Sequence, residues 1–238
     1  NRRKKMKVGL LFLNKKNNSY EIYNTIKYLK KNNEVNSIYI LNISPNLDTT
    51  KKRIEKYLRK GIIWNINSIL SKLVMKIENY IFSKIDYRVS NVNKERELNI
   101  YDYEEKKIKF IDLNFDFNKK GYSAELDKRS TKLVKNLNLD FILNFGGPIW
   151  KGEILKISKM GMISMHHANN LVNRGGPPGF WEVFNKEDFS GFTIQTLNEI
   201  LDGGKVISRG FVRTQRFWIT NYSSLRIHAL RQWLRVVE

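Results

Sequence analysis

The 238-residue sequence predicts an α/β fold: a Rossmann-like open sheet, mostly parallel, with flanking helices. Three observations predict it. Residues 6–13 (MKVGLLFL) form an apolar run of strand length, and residues 35–43 (VNSIYILNI) form another, with a helical pattern between them. That β-α-β opening is the signature of parallel strands joined by a crossover helix. A third apolar run, DFILNF at 140–145, leads straight into Gly146-Gly147-Pro148, and a strand at 162–166 ends on a histidine before a Gly/Pro-rich stretch. Strand ends that open into glycine loops are where ligands sit in such sheets.

The elements follow in order. Ser19 is placed to cap a helix whose apolar positions are Ile22, Ile26 and Leu29. Residues 48–90 read as helical, with Ile69, Leu70, Leu73, Val74, Ile77, Tyr80 and Ile81 on one face. This stripe is expected to pack against the body of the protein, with a basic helix lying on a membrane surface as the alternative. Residues 107–113 suit a strand, 124–137 a helix and 140–145 a buried strand. Beyond Pro148, residues 151–160 read as a short helix, 162–166 as a strand, and a helix starts near Gly179. Strands at 191–197 and 205–212 are joined across Asp202-Gly203-Gly204, and 222–237 is helical. The expected organisation is one catalytic domain over 1–215, carrying a basic helical insertion at about 48–90, with a helical extension at 216–238.

Composition narrows the classes. No run approaches the ~18 apolar residues of a membrane span. The basic start resembles a signal-peptide head, but its apolar stretch ends by Asn14 and no small-residue cleavage site follows. Cysteine is absent, which removes disulfide scaffolds, thiolate zinc sites and cysteine nucleophiles together. A cytoplasmic protein without a transmembrane segment is expected. The net charge is +20, of which +15 lies in residues 1–140 and +5 in 141–238. The excess is dispersed lysine mixed with asparagine, as in Lys15-Lys16-Asn17-Asn18, which A/T-rich coding would produce. That explanation is placed ahead of a dedicated phosphate-binding face, so nucleic acid is kept as a partner but not favoured.

The chemistry gathers between residues 144 and 204. The sequence has three histidines, and two of them, His166 and His167, stand here. Ser164 precedes His166 by two positions, Arg174 follows with Gly175-Gly176-Pro177-Pro178-Gly179, and Asp202 sits in an Asp-Gly-Gly turn. A histidine at a strand end, a glycine loop and a carboxylate on a turn are the parts of an acid/base site. Singly, each also fits a core histidine, a strand-to-helix turn or a hairpin turn. Adjacent strand residues point to opposite faces, so His166 and His167 are not expected to share a metal ion.

In order and spacing these residues resemble the folate-dependent formyltransferase family. The family pattern is Gly-x-x-Asn-x-His, then Arg-Gly, a Pro, a Gly-x-Thr-Ile strand and an Asp-x-Gly turn. It is matched by Gly161, His166, Arg174-Gly175, Pro177 or Pro178, Gly191-Phe192-Thr193-Ile194 and Asp202-Gly203-Gly204. The likeness covers roughly residues 140–212 and departs at Ser164, which stands where the family has a catalytic asparagine.

The resemblance implies the formyltransferase fold and transfer of a formyl group from 10-formyltetrahydrofolate to a primary amine. His166, Asp202 and Ser164 would be catalytic. Phe145, Gly146, Gly147, Pro148, Ile149 and Gly203 would line the folate pocket, and Asn169, Asn170, Arg174 and Gly175 would meet the acceptor. Either the site carries the loss of the asparagine or another group compensates for it, with Asn169, Asn170 and His167 as the candidates. The acceptor implied first is a small-molecule amine, a nucleotide-linked amino sugar, with a homodimer left open. The alternatives are a domain like that of the methionyl-tRNA formyltransferases, or a non-catalytic protein of the same fold that binds a nucleotide or nucleic acid.

Overall fold

The computed structural model describes residues 5–13, 19–46, 62–94, 108–118, 122–169, 171–172, 176–201 and 203–238, with the backbone path alone for 62–68. Its strands are β1 (Met6–Leu13), β2 (Val35–Pro45), β3 (Ile108–Phe117), β4 (Ser123–Leu126), β5 (Phe141–Asn144), β6 (Ile149–Trp150), β7 (Met162–His166), β8 (Phe189–Thr196) and β9 (Val206–Arg213). The helices are α1 (Tyr20–Lys31), α2 (Ile62–Ile85), α3 (Tyr87–Asn93), α4 (Lys128–Leu137), α5 (Phe180–Phe184) and α6 (Trp218–Val237). One nine-stranded sheet runs in the order β6-β4-β3-β2-β1-β5-β7-β8-β9. Its centre, β3-β2-β1-β5-β7, is parallel throughout. Antiparallel pairing is confined to β3 with β4, β7 with β8 and β8 with β9. The sheet is therefore the mostly parallel open one expected.

Side-chain alternation in the central strands builds two cores. Val8, Leu10 and Phe12 of β1 and Ile38 and Ile40 of β2 face Ile22, Ile26 and Leu29 of α1 together with Leu230 and Trp233 of α6. Leu11, Tyr39, Leu41 and Ile43 point the other way, onto Leu113, Phe115, Val134, Ile142 and Trp150. Burial on both faces is what a central parallel strand needs, and it explains why β1 and β2 read as continuous apolar runs. Each fully buried Leu or Ile contributes about 1.5–3 kcal/mol relative to exposure. Ser19 caps α1 as expected, its side chain accepting from the Ile22 amide at 3.3 Å. Helix α6 closes the first core with Leu230, Trp233 and Val237, the Trp233 indole donating to Thr25 Oγ1 of α1 at 3.1 Å, while its Leu225 and Ala229 pack on Phe192 of β8 and Val212 of β9.

Three expectations are corrected. The apolar stripe of α2 does not pack on the body: Ile69, Leu70, Leu73, Val74, Ile77, Tyr80 and Ile81 are 48–66% exposed. The helix is held by its other side instead. Glu78 accepts the Ile219 amide at the start of α6, and the Phe82 ring lies 4.7 Å from that of Phe217. Periodicity reports that one face is apolar, not which way that face is turned. No helix among the described residues is long and apolar enough to cross a membrane. The part of the 48–90 region up to residue 61 lies outside the described residues.

The second correction concerns residues 124–137, which begin as strand β4 and become helix only at Lys128, where Asp127 caps α4 by accepting from Ser130 N. The third is the expected helix at 151–160, which is a single 3₁₀ turn over Gly152–Leu155. The β8–β9 connection runs over residues 197–205, within a residue at each end of the expected 198–204.

Candidate active site

Strands β1, β5 and β7 end on the same edge of the sheet, and a cleft of about 470 Å³ opens there. Strand register determines what it contains. Asn144, the last residue of β5, pairs side by side with Ser164 of β7. His166 lies two residues beyond Ser164, on the same face of the strand. All three line the cleft. On the far side β7 is braced by β8, with His166 opposite Thr193, whose hydroxyl donates to the Ala168 carbonyl at 3.2 Å. That bond fixes where the chain turns after the histidine pair.

One wall is the loop after β5. Phe145, Gly146, Gly147, Pro148 and Ile149 line the cleft, as does Trp150 of β6. Gly146 and Gly147 have φ of 112° and 122°, a backbone region that disfavours any side chain. The loop is anchored at both ends: the Phe145 ring meets Trp233 edge-on at 5.5 Å, and the Trp150 indole donates to Asn144 Oδ1 at 3.3 Å. A second wall comes from the β8–β9 loop, through Leu197, Asn198, Ile200 and Leu201. Asn198 folds that loop, accepting from Ile200 N at 2.9 Å and donating to the Gly203 carbonyl at 2.8 Å. Asp202, inside this loop, lies outside the described residues, as do Asn170, Arg174 and Gly175. Gly203 is described but does not contribute to the lining, and neither does Asn169, whose Oδ1 accepts from Leu171 N at 3.1 Å.

The third wall was not visible in the sequence. Glu21 near the start of α1 and Arg226 of α6 form a forked ion pair, with Nε and Nη2 donating to the two carboxylate oxygens. Both line the cleft beside Tyr222 and His167. Burial works to raise the Glu21 carboxyl, but hydrogen bonding and charge from Arg226 override it and hold the group below its ordinary value. His167 is past the end of β7, so the alternation that separates neighbours on a strand does not apply, and it lines the cleft together with His166. Its ring meets Tyr222 edge-on at 5.8 Å, and its Nε2 is buried without a hydrogen-bond partner, 3.9 Å from Glu21. Burial pushes His167 down to about 4, against the pull of Glu21, so it is neutral at pH 7 and the Glu21 contact is not an ion pair. Among the described residues no group of three or more His, Asp or Glu side chains is placed to hold a metal.

The cleft thus offers an apolar slot between two loops, a histidine at a strand end, and amide, hydroxyl and indole groups beside it. Apolar lining of this kind suits an aromatic ligand, and a carbonyl entering beside Asn144, Ser164 and His166 would meet hydrogen-bond donors.

Comparison with known proteins bears on the fold as a whole. No family model matches the chain. It is 37% identical over 122 residues to methionyl-tRNA formyltransferase of Clostridioides difficile, covering 47% of this chain and 38% of that protein. It is 31% identical over 100 residues to methionyl-tRNA formyltransferase of Borrelia garinii, covering 42% and 30%. The chain therefore matches well under half the length of these curated relatives. Among solved structures, phosphoribosylglycinamide formyltransferase from Campylobacter jejuni superposes with a TM-score of 0.55 at 13% identity, over 98% of this chain and 95% of that one. A formyltetrahydrofolate deformylase from Pseudomonas syringae gives 0.54 at 14% identity, over 97% and 60%. The structural likeness shows the fold; the sequence likeness extends over less than half of this chain and of each relative.

Proposed function

We propose that this chain, a relative of the folate-dependent formyltransferases in sequence and in fold, is itself an N-formyltransferase that uses 10-formyltetrahydrofolate and a primary amine. The observation that carries the reading is His166 at the carboxyl end of β7, inside a cleft walled by the glycine loop on one side and the loop of Asp202 on the other. The residues present suit the folate: the slot is lined by Phe145, Pro148, Ile149, Leu197, Ile200 and Leu201, and its two glycines keep side chains out of the entrance.

When bound, 10-formyltetrahydrofolate supplies the formyl carbon to which the amine nitrogen bonds, the folate nitrogen leaving with a proton as the amine gives one up. His166 is placed to stabilise the charge that develops on the formyl oxygen. Asp202, by the family pattern, would orient His166 and a water and help to remove the amine's proton. Asn169, Asn170, Arg174 and Gly175, which follow β7 in the sequence, are the acceptor contacts that the family pattern implies, and Glu21, His167 and Arg226 line the cleft itself.

A nucleotide-linked amino sugar is the acceptor we favour. The second reading, methionyl-tRNA, is supported by the named sequence relatives and by the net charge of +20. Calorimetric titration with a hydrolysis-stable 10-formyltetrahydrofolate analogue, at low and high salt, tests the cofactor assignment. Micromolar binding that barely changes with salt supports it. Absence of that binding, with salt-sensitive binding of RNA, would favour a non-catalytic nucleic-acid binder, because phosphate contacts weaken steeply with salt.

A further inference from the structure

We infer that Asn144 is a catalytic residue, acting with Ser164 as a two-residue donor to the formyl oxygen. This rests on the formyltransferase reading above and adds to it a residue that the sequence pattern does not single out. Attack on a formyl carbon places negative charge on its oxygen, and a site that accelerates the step needs N–H or O–H groups aimed at that point. Next to His166 the described cleft offers two such side chains. Asn144 and Ser164 are register partners on adjacent parallel strands, and Asn144 Nδ2 lies 3.3 Å from Ser164 Oγ.

The orientation of the amide is dictated by chemistry. An indole nitrogen can only donate, so Trp150 Nε1, at 3.3 Å, requires the Asn144 oxygen on its side. The NH₂ group must then face Ser164. It donates one hydrogen to Ser164 Oγ, which frees the serine hydroxyl hydrogen to point into the cleft, and its second hydrogen remains available there. Trp150, Asn144 and Ser164 form a chain in which each bond polarises the next. The small serine is what makes room: a longer side chain at 164 would fill the volume that the Asn144 amide now reaches across. Asn144 is nearly fully buried and Trp150 is packed edge-on against Phe115, so the chain is fixed before any ligand arrives.

The test uses Asn144→Ala and the near-isosteric Asn144→Asp, which keeps an acceptor for Trp150 but loses the donor. Two readouts are taken: turnover with 10-formyltetrahydrofolate and an acceptor panel of a UDP-linked 4-amino-4-deoxyhexose and methionyl-tRNA, and calorimetric Kd for a stable formylated folate analogue and for unformylated tetrahydrofolate. Each variant is expected to lower kcat by about 10²–10³. Affinity for the formylated analogue should fall about three- to tenfold, the value of one neutral hydrogen bond, while that for tetrahydrofolate stays the same. Asn144→Ala/Ser164→Asn, which moves the amide to the neighbouring strand, should recover at least tenfold of the lost kcat.

Wild-type turnover with both variants within about threefold of it would overturn the inference and leave the formyltransferase reading standing. So would equal loss of affinity for both folates, which marks a structural role. A wild-type protein that turns over neither acceptor and binds neither folate would overturn both.

Discussion

His167 makes stability depend on pH in a way that can be calculated from its surroundings. Its imidazole is buried against Tyr222, and burial lowers it from 6.5 to about 4 despite the nearby Glu21 carboxylate. Between those values the unfolded chain binds a proton that the folded chain refuses. Folded stability is therefore complete above about pH 6.5 and falls as the pH drops towards 4. At about 1.4 kcal/mol per pKa unit the limiting loss is about 3 kcal/mol, of which about 2 kcal/mol appears between pH 7 and pH 5. Glu21 contributes in a lower window: its carboxyl is held below 4.5, so its share is present above that value and lost as pH falls through the folded one. The assay is urea unfolding at pH 7, 6 and 5 for the wild type and for His167→Phe, which keeps a flat ring against Tyr222 and cannot titrate. The wild type should lose about 2 kcal/mol more than the variant over that range. Parallel pH profiles for the two proteins would show that His167 does not carry the pH dependence.

Three more outcomes follow from the same geometry. His166→Ala should abolish formyl transfer while calorimetry still detects the folate analogue; unchanged turnover would remove His166 from the chemistry. Arg226→Met leaves the Glu21 carboxylate buried and unpaired, and should cost about 3–5 kcal/mol in urea unfolding at pH 7; the double variant Glu21→Met/Arg226→Met should recover most of that loss. Leu73→Lys and Ile77→Lys, on the outward face of α2, should each change the unfolding free energy by less than about 0.5 kcal/mol; a loss of several kcal/mol would show that the stripe is covered in solution.

Much of the fold was legible because the information was local. Residues 6–13 are apolar on both faces, Ser19 stands one residue before its helix, and 35–43 repeats the first pattern. Strand β4 was hidden because its four residues run directly into the Asp127 cap, so that Ala124 and Leu126 merge with the helical spacing after them. The direction of α2 was illegible for a different reason: the side chains that hold it inward, Glu78 and Phe82, find their partners more than 130 positions away, at Ile219 and Phe217.

The site divides in the same way. His166, the glycine loop and the turn beyond β8 stood out by rarity and spacing. Asn144 read as the end of a strand, and only the register of β5 against β7 places it beside Ser164. We favour this neighbour over Asn169, Asn170 and His167 as the group that makes up for the serine. Glu21 and Arg226 are 205 positions apart, and no sequence signal short of the fold could pair them. Tyr222 looked like one more residue of a terminal helix, whereas the burial of α6 makes it part of the cleft.

The most direct test of the central claim is mass-spectrometric detection of formylated product after incubating the protein with 10-formyltetrahydrofolate and each acceptor, run beside His166→Ala. The expected result is an amine gaining one formyl group in step with release of tetrahydrofolate, and neither with the variant. Binding of the folate with no formylated amine from either acceptor, and no difference between wild type and His166→Ala, would contradict it.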